Sequence, residues 1–138
     1  MKKFVFLFLS IILLTSCNKN KNGIVPYVYV NVQLYASDPQ FVQLNAVGNY
    51  IYYSAGYKGI IIYKRGPNEF AAYERACTYD PESDCDGVVV LSDNFTLQDS
   101  CCNSKFQVND GSVSQGPATR ALVQYQTYFD GTILRITN

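Results

Sequence analysis

From residue 27 to 34 the chain reads Y-V-Y-V-N-V-Q-L, with Val28, Val30, Val32 and Leu34 at one parity and Tyr27, Tyr29, Asn31 and Gln33 at the other. Successive side chains of a strand point to opposite faces, so this segment predicts a half-buried strand with its aliphatic side inward. Further strands are expected at 50–54, 59–64, 70–75, 88–91, 95–97, 106–108, 112–114, 123–128 and 132–136. These runs are short and mostly rich in Tyr, Val, Ile or Phe, which suit a pleated, half-buried surface. Arg65-Gly66-Pro67-Asn68, Asn109-Asp110-Gly111 and Asp130-Gly131 supply the residues that tight reversals need. In 38–44, Asp38 can cap and Pro39 suits a first helical position, which predicts a short helix or an irregular turn. No helical periodicity and no internal repeat is visible. Many short strands with frequent turns predict an all-β domain, a small sandwich or barrel.

The N-terminus follows a different pattern. Met1-Lys2-Lys3 precedes an apolar run from Phe4 to Leu14 broken only by Ser10, then Thr15-Ser16-Cys17. The run is well short of the roughly 20 residues of a spanning helix and has the charged start of a secretion signal. Leu14-Thr15-Ser16-Cys17 resembles the lipobox of bacterial lipoproteins, which implies cleavage before Cys17 and acylation of that cysteine. Several acyl chains, at ~0.8 kcal/mol per buried CH₂, make an essentially permanent anchor. The expected organisation is a signal peptide at 1–16, a polar, lipid-anchored flexible tether at 17–26 and one β domain at 27–138. The expected location is the cell envelope, lipid-anchored to a membrane.

Charge and composition narrow the function mainly by exclusion. Two of the eleven basic residues leave with the signal while all eleven acids remain, so the mature chain carries a net charge of minus two. No basic field exists to attract nucleic acid. The chain contains no histidine. A Ser-His-Asp arrangement, a Cys-His nucleophile pair and histidine-ligated zinc hydrolysis are therefore excluded. No glycine-rich phosphate loop occurs, and the scattered acids give no support to a glycosidase pair. No catalytic residues are assigned. The twelve tyrosines, among them Tyr50, Tyr52 and Tyr53, are read as strand formers rather than as a stacking face.

Four cysteines remain besides Cys17: Cys77 and Cys85 in one expected loop, Cys101 and Cys102 in another. Around them run Gly59-Ile60-Ile61-Ile62-Tyr63, Glu69 to Cys77-Thr78-Tyr79, Cys101-Cys102-Asn103-Ser104-Lys105-Phe106, Asp110-Gly111-Ser112-Val113 and Gly116-Pro117-Ala118-Thr119-Arg120. In this order the segments resemble a Rieske iron-sulfur domain covering roughly residues 40–137. The resemblance implies two cluster loops at one end of a small sheet pair, shielded by the Gly116-Pro117 loop. Matched residue by residue, Cys77 and Cys101 stand at the family's cysteine ligands, and Tyr79 and Cys102 stand at its histidine ligands. Ser104 matches the serine that hydrogen-bonds a bridging sulfide, and Asn103 stands where glycine is usual. A Rieske 2Fe-2S centre owes its raised potential to two histidines, so the resemblance implies a histidine-less, divergent relative without a true Rieske cluster.

The cysteines then have three readings. In an oxidising compartment four cysteines form two disulfides, such as one within the Cys77–Cys85 loop and one joining the loops. Alternatively Cys77, Cys85, Cys101 and Cys102 together hold a 2Fe-2S cluster or, less readily, zinc. The third reading is free, buried thiols. Adjacent Cys101 and Cys102 point apart along an extended chain, which counts against one shared metal. The expected function is a structural or binding module, with electron transfer or redox sensing to an envelope partner as the alternative. Both describe a carrier or binder rather than a complete enzyme.

Overall fold

The computed structural model describes residues 23–138. The signal segment 1–16, Cys17 and the tether as far as residue 22 lie outside the described residues. The expected strands all appear, with ends shifted by no more than two residues except at the start of the first, which begins four residues later than expected. They are β1 (Asn31–Tyr35), β2 (Tyr50–Tyr53), β3 (Ile60–Gly66), β4 (Glu69–Glu74), β5 (Val88–Val90), β6 (Thr96–Asp99), β7 (Lys105–Gln107), β8 (Val113–Gln115), β9 (Gln124–Phe129) and β10 (Ile133–Thr137).

The inward and outward parity expected for 27–34 holds, with Val30, Val32 and Leu34 buried and Tyr27, Tyr29, Asn31 and Gln33 exposed. The ladder nevertheless begins at Asn31 rather than Tyr27. The partner of β1 is β10, whose last paired residue, Thr137, sits opposite Asn31. Beyond it the side chain of Asn138 continues the pairing: Val30 N–H donates to its Oδ1 at 3.1 Å and its Nδ2 donates to Val28 O at 2.7 Å.

Residues Phe41–Asn45 form a 3-10 turn that buries Phe41 and Leu44. The Asp38 side chain does not cap it. Its Oδ2 instead accepts Tyr35 N–H at 3.2 Å, and the main-chain oxygen of Asp38 accepts Phe41 N–H.

Two sheets build the domain. One has six strands in the order β1-β10-β9-β4-β3-β2, and the other has four in the order β5-β6-β7-β8. Strands β3 and β4 are buried almost throughout because both of their faces are covered, which explains their unbroken runs Ile60-Ile61-Ile62-Tyr63 and Phe70-Ala71-Ala72-Tyr73. Alternation divides these runs between two cores. Ile60, Ile62, Phe70 and Ala72 join Val32, Leu34, Phe41, Leu134 and Ile136 on one side. Ile61, Tyr63, Ala71 and Tyr73 join Val88, Leu97, Phe106 and Cys77 on the other. The second core thus ties the four-stranded sheet, with its cysteine loops, to the centre of the larger one.

Tyr50, Tyr52 and Tyr53, read from sequence as strand formers, pack within the fold. Tyr52 Oη accepts Val90 N–H at 3.0 Å, its ring lies under the Arg75 guanidinium at 4.7 Å, and Tyr50 packs edge-on against it. These contacts bridge β2 to the four-stranded sheet. Tyr53 packs against the first core.

The tether expected at 17–26 is ordered against the domain in its described part. Gly23 N–H donates to Tyr79 O at 3.3 Å, and Arg120 Nη2 donates to Gly23 O.

Candidate functional site

Antiparallel pairing puts both cysteine loops at one end of the molecule. The first joins β4 to β5 and the second joins β6 to β7, and Val88 at the start of β5 is paired with Asp99 at the end of β6. Loop one closes tightly on β4 through Val88 N–H donating to Arg75 O at 2.7 Å. Gly87 makes this approach possible: its φ is +88°, and an added Cβ would meet Arg75 O at 2.6 Å.

Glu74, the last residue of β4, fixes where loop one begins. Its side chain is 1% exposed and accepts four hydrogen bonds. Oε1 takes Lys58 N–H at 2.8 Å and Ala76 N–H at 3.1 Å, and Oε2 takes Tyr57 N–H at 2.7 Å and Tyr125 Oη–H at 2.7 Å. Burial, together with the bond and charge of Glu74, holds the Tyr125 phenol above its ordinary value.

Asp99 shapes loop two. Its Oδ1 accepts Cys101 N–H at 3.1 Å and Cys102 N–H at 2.9 Å, and its main-chain N–H and C=O bond Ser104 O and Asn103 N–H. The closed turn needs a positive φ at Asn103, which is 59°, a conformation asparagine tolerates. The turn also sends adjacent cysteine side chains in opposite directions. Cys101 points outward and is joined to Cys85 by a disulfide, with Cα atoms 6.2 Å apart. Cys102 points inward, where its Sγ lies 3.4 Å from Sγ of Cys77.

Three readings from the sequence change accordingly. Cys101 is not at a ligand position with Cys77, because its thiol is consumed by Cys85. Of the two bridges suggested, the one joining the loops is present as Cys85–Cys101, and the one within the Cys77–Cys85 loop is not. The four cysteines do not converge on one centre: Cys77 and Cys102 are the free thiols among the described residues.

The surroundings of the free pair are closely organised. Cys102 Sγ donates to Ser104 Oγ at 3.0 Å, and that oxygen accepts Ala118 N–H at 2.9 Å. Thr78 Oγ1 donates to Arg120 O at 2.6 Å. The 116–123 loop therefore ties both cysteine loops, through Ala118 and Arg120. Gly116 and Pro117 themselves are exposed, so the expected cover by the pyrrolidine ring is supplied by the buried Ala118. Tyr79 lies beside the pair, half-buried against the second core, and its main-chain N–H reaches the Cys77 sulfur. Burial pushes the Cys77 thiol up to about 12, and Cys102 and Asp99 add to the rise. At pH 7 it is a neutral thiol and a poor nucleophile.

Asp99 was not among the candidates from sequence. It is 2% exposed, and one of its carboxylate oxygens and the sulfurs of Cys77 and Cys102 all lie within 4.8 Å of one another. Strand parity carried the signal: Leu97 is a core residue, so Asp99, two positions on, faces inward as well.

The Cys85–Cys101 bridge spans a sequence separation of 16. Chain entropy for a closed loop of this size predicts that Cys85→Ser with Cys101→Ser lowers stability by about 3 kcal/mol. Urea unfolding of the wild type and the double variant checks the value. An unchanged midpoint would mean that the 116–123 loop alone holds the two loops.

Comparison with known proteins agrees with this geometry. Residues 1–18 match the prokaryotic membrane lipoprotein lipid attachment site. The chain is thus a lipid-anchored lipoprotein of the cell envelope; among the described residues no helix is long and apolar enough to cross a membrane. No curated protein is similar to it in sequence. Its fold is similar to the ferredoxin of carbazole 1,9a-dioxygenase from Nocardioides aromaticivorans IC177, with TM-score 0.53 and 15% identity over 80% of this chain and 98% of that one. It is also similar to the plasma membrane Rieske protein PetC3 from the cyanobacterium Synechocystis PCC 6803, with TM-score 0.56 and 19% identity over 81% of this chain and 100% of that one. At such identities the likeness establishes a Rieske-like all-β fold.

The donor set does not fit a Rieske 2Fe-2S cluster, which takes two cysteines on one iron and two histidines on the other. The chain has no histidine, and the inward-facing donors are Cys77, Cys102 and Asp99.

Proposed function

We propose that this lipoprotein carries a Rieske-like domain without a Rieske cluster and serves as a structural or binding module at the membrane surface. The observation that carries the reading is the pairing of Cys85 with Cys101 in a chain that lacks histidine. The bridge joins the two loops covalently, as a cluster would otherwise do by coordination. It also removes two of the four thiolates that all-cysteine ligation of a 2Fe-2S cluster would require, which weakens the electron-transfer alternative.

Attachment geometry adds where the module works. Gly23 is bonded to Tyr79 and Arg120, at the cysteine-bearing end. From Cys17 to Gly23 the chain can span at most about 20 Å, the limit for six extended residues. The cysteine end is therefore held near the bilayer, and a partner reaching it would approach along the membrane surface.

The test is the visible absorption of protein purified without oxygen, before and after dithionite. The reading predicts a spectrum without bands that bleach on reduction. A reducible visible chromophore in the wild-type protein would overturn it in favour of electron transfer, and loss of that chromophore in Cys85→Ser would place Cys85 among its ligands.

A further inference from the structure

We infer that Cys77, Cys102 and Asp99 form a mononuclear site for a thiophilic divalent cation of the zinc class, with one coordination position open on the Cys102 side. The inference rests on the reading that no Rieske cluster occupies this end of the domain.

Distance supports a shared cation. Two thiolates about 2.3 Å from one tetrahedral metal are about 3.8 Å apart. The sulfurs of Cys77 and Cys102 stand at 3.4 Å, so a few tenths of an ångström of opening suffice. A disulfide would need them to close to about 2.05 Å.

Asp99 supplies the second, independent observation. Its Oδ1 is engaged by Cys101 and Cys102 N–H, whereas its Oδ2 is buried and has no hydrogen-bond partner. A buried carboxylate oxygen without a partner calls for an explanation such as a bound ion. Asp99 belongs to the one group of metal-ligating side chains among the described residues, with one carboxylate oxygen within 4.8 Å of both sulfurs. A cation there would neutralise a carboxylate that has no Lys or Arg within salt-bridge distance among the described residues.

Neighbouring contacts suit the same role. Tyr79 N–H reaches the Cys77 sulfur, and Ser104 can reverse its bond and donate to a Cys102 thiolate. Groups of this kind orient metal ligands and tune them. Cys77 and Asp99 are buried while Cys102 is half-buried, so the fourth position opens to solvent on that side. Binding exchanges the two thiol protons, which leave to solvent, for the cation, and no electron transfer is involved.

The experiment uses the full lipoprotein in detergent, stripped with a chelator and handled without thiol reductant so that Cys85–Cys101 stays intact. Titration with cobalt(II) should give one equivalent of binding, a thiolate-to-cobalt charge-transfer band and intense tetrahedral d–d bands, all displaced by zinc. Asp99→Asn keeps an oxygen for Cys101 and Cys102 N–H and replaces only the free oxygen. It should retain the wild-type melting temperature within a few degrees and bind zinc at least about tenfold more weakly, in line with loss of a metal-site partner. Cys102→Ser should lose the charge-transfer band, and Cys85→Ser should keep it. Thiol titration of the unfolded, unreduced protein should find two free thiols. No free thiols, meaning a Cys77–Cys102 disulfide, would overturn the site, as would two free thiols with no cobalt charge transfer. Neither result would touch the proposed absence of a Rieske cluster. Iron with sulfide at this end would overturn both.

Discussion

Glu74→Ala is expected to lower the stability of the domain by about 3–5 kcal/mol. The substitution leaves Tyr57, Lys58 and Ala76 N–H and the Tyr125 hydroxyl without their acceptor, in a place where the side chain was 1% exposed. Each buried donor so orphaned costs about 1–3 kcal/mol, and water entering the space offsets part of the total. The loss is a large share of the 5–15 kcal/mol that a domain commonly has. Urea unfolding measures it, and a loss below about 1 kcal/mol would show that the four bonds do not anchor loop one. Tyr125 provides a pH check. Its phenol is raised above 10.0, so its contribution is complete below that pH and is lost as the pH rises through the higher folded-state value. Glu74→Ala removes two of the causes of the rise, so the alkaline loss of stability, which starts at the same pH in both proteins, should be smaller in the variant and end at lower pH.

Cys17→Ala has the largest effect on the protein in the cell. Without a thioether-linked lipid the protein should leave the membrane fraction or remain unprocessed, because the anchoring energy resides in the acyl chains rather than in the two tether lysines, Lys19 and Lys21. Fractionation of cells and mass spectrometry of the mature N-terminus read the outcome. An unmodified N-terminus at a residue other than Cys17 in the wild-type protein would contradict the anchor.

Alternation along the chain was enough to place the strands, since period 2 depends only on which face is buried. At β3 and β4 it was obscured, because both faces are covered and every position is apolar. The start of β1 depended on where its partner β10 ends across the sheet, at Thr137, a long-range contact that no local pattern contains. At the site, sequence order located both cysteine loops but not their pairing. Which of two adjacent cysteines turns inward depends on the Asp99 carboxylate seizing the N–H groups of both. Asp99 and Glu74 were overlooked for different reasons. Asp99 lies beyond the expected strand 95–97, where a polar residue is easily read as the start of a solvated loop, and Glu74 lies inside the expected strand 70–75 but carries no chemistry that the local pattern reveals. Continuing the strand parity by one step, from Leu97 to Asp99 and from Ala72 to Glu74, would have marked both as inward-facing.

A Rieske-like fold without its cluster is tested by assaying iron together with acid-labile sulfide per folded chain on protein purified without oxygen. The account predicts neither element above background, in a preparation whose Cys85–Cys101 disulfide is intact by mass spectrometry. Iron and sulfide present in equal, stoichiometric amounts would contradict it.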